Sequence, residues 1–310
     1  MKHTTTVIKS PCDQLPLSVL TVLPDAPETA VGIVQLVHGM AEHKERYIGF
    51  MKFLADHDYI SVIHDHRGHG LSVRRASDFG YFYGAGAHGL IEDTAAVTQY
   101  IKESRPDLPV FLTGHSRGSL VVRAYTKRYD DQISGLIVIG SPSKKAGARI
   151  GLLLTKLIRL LRGDRHVSLL IDRMAAPRAK TLDSCSKAAW ICSVESVVQA
   201  YDMDPRCGFT FTVDGFEGLI ELMIDVYDKS GWQMKRPSLP VHFASGAEDI
   251  CLIDEKHFKH AVDFMRKMGY RNVTAKLYSG LRHEILNEKD KDLVFVDLLA
   301  VLNTMNEKSV

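Results

Sequence analysis

The run Gly114-His115-Ser116-Arg117-Gly118 places a serine between two glycines, directly after the apolar stretch Pro109–Thr113 and before a helical pattern carrying Leu120, Val121 and Ala124. In a strand–turn–helix setting, this G-x-S-x-G spacing makes a sharp turn that exposes the serine hydroxyl with a helix N-terminus behind it. A serine hydroxyl attacks only when a base takes its proton and an acid orients that base. Both partners are expected after the serine in the chain, each in a loop beyond a later strand. Asp249 stands just past the strand Leu239–Ala244, and His283 just past Asn272–Tyr278. Ser116, Asp249 and His283 are therefore the expected nucleophile, acid and base. Glu248, Asp254 and Asp263 are weaker acids for this role, and His257 and His260 fall on a helix where a solvated position suits them. The oxyanion formed on an attacked carbonyl needs preorganised backbone N–H donors. Arg117, at the helix N-terminus, and Met40, in the loop after an earlier strand, are the candidates, with His38 bracing that loop.

The elements that must position these residues follow from periodicity. Val31–Val37, Ile60–His64, Pro109–Thr113 and Ile133–Ile139 read as buried strands, separated by helical patterns over Tyr47–Asp56, Gly89–Glu103 and Gly118–Tyr129. The rhythm resumes with Leu239–Ala244, a helix over Asp254–Met268, the strand Asn272–Tyr278 and a helix over Lys291–Leu302. Strands alternating with helices predict an α/β fold with a mostly parallel central sheet covered on both faces. Polar alternation in the first 22 residues adds a leading antiparallel hairpin. Residues 143–234 show helical periodicity and no strand run. This length is too great for a structureless loop, so the segment is expected to be a helical cap inserted after the sixth strand, over a body made of residues 1–142 and 235–310.

These pieces resemble the α/β-hydrolases of the monoacylglycerol lipase and lysophospholipase branch, which is grouped with the serine aminopeptidase-like hydrolases. The matching segments are HGMAEHKERY (38–47), DHRGHGLS (65–72), GHSRG (114–118), SGAED (245–249) and LRHEILNE (281–288). They span both body segments, while the cap matches loosely. The resemblance implies hydrolysis of carboxylic esters of single-chain lipids by Ser116, Asp249 and His283. Where that family usually carries Met and Gly, this chain has Arg117 and Ser119, which puts a cation beside the nucleophile. Cys251 resembles a cysteine near the pocket in some relatives, and the segment Tyr201–Phe209 resembles a cap motif of bacterial relatives. Phe209 and Phe211 are candidates to line an acyl channel, and a plain cap core accounts for them equally. A general carboxylesterase, an amidase or aminopeptidase on the same triad, and a non-catalytic receptor for a hydrophobic ligand are the alternatives.

Three histidines in His64-Asp65-His66-Arg67-Gly68-His69 suggest a metal site, but an acid is missing before His69, and further ligands are absent. A tight loop in which Asp65 and Arg67 make structural hydrogen bonds is the expectation, with no metal and no cofactor. Composition is that of a globular protein, with 45% hydrophobic and 25% charged residues. The 39 basic and 37 acidic residues exclude a globally basic nucleic-acid binder. Residues 141–180, however, hold ten Lys or Arg and two Asp, a local +8 against −6 elsewhere. Within them, Ile150, Leu153, Leu154, Leu157, Ile158 and Leu161 share one face of a helix whose other side carries Arg149, Lys156, Arg159 and Arg162. Such a helix either packs its leucines on the body or rests on an anionic membrane. Five cysteines without paired spacing, no apolar run of 18 residues and no signal-like N-terminus point to the cytoplasm, with peripheral membrane contact as the open question. The sequence sets no oligomeric state.

Overall fold

Eight strands form one sheet in the computed structural model, which describes residues 2–175 and 186–307 of the 310-residue chain. They are β1 (Lys2–Lys9), β2 (Pro16–Leu23), β3 (Gly32–Val37), β4 (Tyr59–His64), β5 (Val110–His115), β6 (Gly135–Ile139), β7 (Val241–Gly246) and β8 (Val273–Tyr278). Their spatial order is β1-β2-β4-β3-β5-β6-β7-β8. The leading hairpin is antiparallel and joins β4 antiparallel, and every other pairing is parallel. Strands β3 to β7 are buried along their whole length, so their apolar side chains run continuously instead of alternating.

Helices cover both faces. On one, α1 (Ile48–Ala55) and α9 (Lys291–Glu307) bury Phe50, Met51, Phe295 and Leu298. On the other, α2 (Gly86–Ser104), α3 (Arg117–Tyr129) and α8 (Glu255–Met268) bury Leu90, Leu120, Val121 and Val262. Between β6 and β7 the described chain contains only helices: α4 (Ala148–Arg162), α5 (Leu169–Ala175), α6 (Glu195–Met203) and α7 (Val213–Val226). The helix α7 packs on α2 and α3, and α4 packs on α7.

The face by which α4 packs was not evident from its pattern. Gly151 and Thr155 are buried, with Leu154 and Ile158 half-buried beside them. Small residues let the helix axes approach, which leaves the broad leucine stripe to one side. Ile150, Leu153, Leu157, Leu160 and Leu161 are between 52% and 83% exposed, so packing of the whole stripe on the body does not occur. Lys156 and Arg159 instead turn to α7, pairing with Glu217 at 3.7 and 2.9 Å. Arg178 and Lys180, counted in the basic segment, lie outside the described residues.

The sheet order also locates the site. From β3 the chain moves to β4 on one side and then returns to β5 on the other. At such a switch point the loops leaving two adjacent strands diverge and open a crevice at their carboxyl ends. The loop carrying Met40 leaves β3, and Ser116 leaves β5. Gly118 allows them to meet, because a Cβ there would lie 2.1 Å from the Val37 carbonyl oxygen.

Candidate active site

Ser116 sits between β5 and α3 with φ 53° and ψ −121°, a left-handed conformation that strains a residue with a Cβ. Its N–H donates to the Ile139 carbonyl at 2.9 Å, tying the turn to the end of β6. The next residue, Gly140, has φ +57°, and a Cβ on it would stand 3.2 Å from His283 Nδ1 and 3.4 Å from an Asp249 carboxylate oxygen. The Ser116 turn, His283 and Asp249 thus all meet the Ile139–Gly140 stretch at the end of β6. His283 Nδ1 donates to Asp249 Oδ2 at 2.8 Å, with both side chains buried. Asp249 also accepts from Ser245 Oγ at 3.0 Å and from the Cys251 N–H at 2.8 Å. No hydrogen bond joins Ser116 Oγ to His283 in this structure, and such links tighten when substrate arrives.

Burial alone would pull the His283 pKa down, but the Asp249 carboxylate beside it holds it well above the ordinary imidazole value. The same pairing outweighs burial at Asp249 and keeps that carboxyl below its usual range. The amides of Met40 and Arg117 have no acceptor among the described residues, which leaves two N–H groups free beside the serine.

The Arg117 side chain is not the open cation that its place in the sequence suggests. It is 1% exposed, with Nη2 donating to the Gly39 carbonyl at 2.8 Å and Nη1 to His69 Nε2 at 2.9 Å. Phe211, a candidate channel residue, has no exposed surface and packs against Phe82, Phe216 and the Arg117 guanidinium, so it backs the wall instead of lining it. Phe209 is half-buried, stacked on Phe79 and edge-on to His69. Cys251 is half-buried, its thiol within 4.8 Å of the Asp249 and His283 ligand atoms, and burial pushes that thiol up.

The histidine-rich loop is tied into the protein. Asp65 accepts from Lys44 Nζ at 2.6 Å and from the Lys44 and Leu71 amides, while Arg67 donates to Asp93 at 2.8 Å. Its histidines do not gather their ring nitrogens. Among the described residues, the two groups that do gather ligand atoms are Asp249, Cys251 and His283, which takes in the expected acid and base, and His43, Asp204 and Cys207, where the β3 loop meets the insertion. In the second group, His43 already bridges Glu45 at 2.6 Å and Asp204 at 3.0 Å.

Several positioning residues went unrecognised because their partners are far apart in sequence. Arg46 donates to both oxygens of Glu284 at 2.6 and 2.7 Å and to Glu42 at 2.8 Å. Glu42 accepts from the Gly39 amide at 2.5 Å and from Tyr47 Oη at 2.9 Å. His115 Nε2 reaches the His283 carbonyl at 3.2 Å. The insertion adds Trp190, whose ring centroid lies 5.0 Å from that of His283, and the Ile191 carbonyl, which accepts from the Glu284 N–H at 2.7 Å.

The model of the serine aminopeptidase S33 family matches residues 28–290. The chain belongs to this family. It is an α/β-hydrolase of the monoacylglycerol lipase and lysophospholipase type. It is 27% identical over 273 residues to a monoacylglycerol lipase of Mycolicibacterium smegmatis, covering 86% of each chain. It is 23% identical to the phospholipase YtpA of Bacillus subtilis, covering 86% of this chain and 92% of that one. A carboxyl esterase from Bacillus coagulans superposes with a TM-score of 0.90 at 24% identity, covering 99% of each.

Two outcomes follow from the site's charges. Replacing Glu284 by Gln leaves Arg46 a buried cation with half its partners, so the unfolding free energy in urea should fall by about 3 kcal/mol. Protonated His283 cannot accept a proton, so the acid limb of kcat/KM should lie above pH ~6.5, the ordinary imidazole value. In Asp249→Asn the chief influence that opposes burial at His283 is lost, so that limb should move to lower pH than in wild type while kcat drops about 10⁴-fold.

Proposed function

We propose that the protein is a serine esterase that cleaves carboxylic esters of single-chain lipids, monoacylglycerols or lysophospholipids, through an acyl-enzyme on Ser116. The observation that carries this reading is the buried Asp249–His283 pair packed on Gly140, next to the Ile139 carbonyl that receives the amide of a half-exposed serine in a strained turn, beside two unbonded amides. In this mechanism His283 Nε2 takes the Ser116 proton as Oγ attacks the ester carbonyl. The Met40 and Arg117 amides receive the developing oxyanion. Collapse of the tetrahedral adduct breaks the bond to the alcohol oxygen, which leaves with the proton held by His283. Water, deprotonated by His283, then releases the fatty acid. The names of the relatives support the lipid class, and the helices α4 to α7, as a cap, are proposed to supply the acyl-binding walls, with Phe209 and Cys251 facing the substrate. The free cysteines among the described residues, Cys12, Cys192, Cys207 and Cys251, support a reducing compartment such as the cytoplasm. No described helix is long and apolar enough to cross a membrane.

We also propose that the exposed stripe of α4 rests on an anionic lipid surface. Leu169 and Leu170 of α5 are exposed as well, and Arg149 and Arg162 make no ion pair among the described residues. Apolar side chains flanked by cations are what an interfacial helix needs.

The substrate class is tested with a panel of a monoacylglycerol, a lysophospholipid, p-nitrophenyl butyrate and an aminoacyl nitroanilide. Turnover of the esters well above the nitroanilide is expected, and Ser116→Ala should abolish both turnover and fluorophosphonate labelling. Preference for the nitroanilide, or activity retained in Ser116→Ala, sinks the reading. For the surface, the protein should co-sediment with phosphatidylglycerol vesicles at low salt and less at high salt. Leu157→Asp with Leu160→Asp should weaken binding on the order of a hundredfold, the loss expected from two buried leucines. Absence of wild-type binding at low salt refutes it.

A further inference from the structure

Arg117 is a buried cation with no carboxylate within ion-pair distance among the described residues, and its Nε has no hydrogen-bond partner. Such a charge is costly unless its surroundings use it. Its guanidinium lies 5.6 and 5.5 Å from the ring centroids of Phe82 and Phe211, and burial pulls its pKa down to about 9, which leaves it charged at neutral pH. Its two remaining contacts both address the loop that carries Met40.

The hydrogen bonds around it fix the tautomers. His69 Nδ1 donates to the Arg67 carbonyl at 2.9 Å, so its Nε2 is an acceptor. That nitrogen receives Arg117 Nη1 at 2.9 Å and the Ala41 N–H at 3.3 Å. His38 Nε2 accepts the His66 N–H at 3.0 Å, so its Nδ1 donates to the Gly39 carbonyl at 3.0 Å. Burial, reinforced by the Arg117 charge, holds His38, His66 and His69 well below the ordinary imidazole value, so they stay neutral and these tautomers persist. The Gly39 carbonyl thus receives two donors, one of them a cation: His38 Nδ1 and Arg117 Nη2 at 2.8 Å. The peptide that follows Met40 is anchored through Ala41 N–H.

We propose that the Arg117 side chain is a positioning residue that aims and polarises the Gly39–Met40 peptide toward the reacting carbonyl. Carbonyl and N–H are the two ends of one conjugated plane. Pinning the oxygen between two donors fixes the direction of the Met40 N–H, and the charge on Arg117 draws electron density toward that oxygen, making the N–H a stronger donor. Arg117 then serves the oxyanion twice, with its own amide and, through Gly39, with that of Met40. The Ser119 hydroxyl, which donates to the Ser116 carbonyl, adds a further brace to the same turn. The inference rests on the proposed reading of Met40 as an oxyanion donor.

The test compares p-nitrophenyl butyrate with its thionoester, whose sulfur is a poor hydrogen-bond acceptor. Wild type should favour the oxygen ester far more than the uncatalysed reaction does; a ratio like that of solution would refute the oxyanion reading itself. Arg117→Met keeps the backbone amide and removes the guanidinium. Its kcat on the oxygen ester should fall about tenfold, a fraction of the 10²–10³ lost with a whole oxyanion donor. KM should stay within about twofold, and the oxygen-to-thiono ratio should fall by the same factor as kcat. A lower kcat with an unchanged ratio, or a raised KM at constant kcat, overturns the role assigned to Arg117. Arg117→Lys keeps the charge but cannot hold His69 and Gly39 together, and it carries the same ratio measurement should the Met variant not fold. An intermediate ratio is expected there, and a wild-type ratio overturns the proposal.

Discussion

The buried ionic link of Arg46 to Glu42 and Glu284 holds together loops that the sheet alone delivers only approximately. Parallel strands fix where a chain emerges, but the residues that act stand on loops beyond the strand ends, and loops are the most mobile parts of a scaffold. Arg46 spans 238 positions of sequence to reach Glu284, the neighbour of His283, and its other partner, Glu42, bonds the Gly39 amide. The loops after β3 and β8 are thereby locked to each other, and His115, the neighbour of Ser116, bonds the His283 carbonyl from the end of β5. A buried ion pair contributes little net stability over apolar packing, but with one partner gone the other is stranded. What this network supplies is a single arrangement of loops.

Within that frame the local strain at Ser116 is sustained. The left-handed backbone of the serine persists because β5 is buried along its whole length, α3 packs closely through Gly118, and the serine amide is bonded to β6. Each of these contacts is far more extensive than the one distorted residue it constrains. The histidines clustered below the loop fit the same logic. They stay neutral, and the acceptor nitrogens of His38 and His69 receive backbone amides that would otherwise be buried without partners.

Much of this was legible in the sequence because the signals are local. The alternation of strand and helix, the turn around Ser116, and Asp249 and His283 beyond their strands all depend on neighbours a few residues away. The helices begin and end within a turn of their predicted bounds, except α9, which runs on to Glu307. Three features lay beyond such signals. The Arg46–Glu284 pair and the tilted ring contact of Trp190 with His283 join residues that only the topology brings together. The Arg117 guanidinium turns inward because two acceptors, the Gly39 carbonyl and His69 Nε2, and the rings of Phe82 and Phe211 surround it. The orientation of α4 was hidden because a period of 3.6 identifies an apolar stripe but not the face that packs. There the small residues Gly151 and Thr155 decide.

The backbone contacts between residues 189–192 and the loop around His283 bear on how such a protein diversifies. Arg282 donates to the Ala189 and Cys192 carbonyls at 2.7 and 3.1 Å, and the Glu284 N–H to the Ile191 carbonyl at 2.7 Å. A segment of the proposed cap is therefore also part of the scaffold that holds the loop carrying His283. In the proposed enzyme, exchanging that segment for one from a relative would disturb the setting of His283 along with the acyl-binding walls.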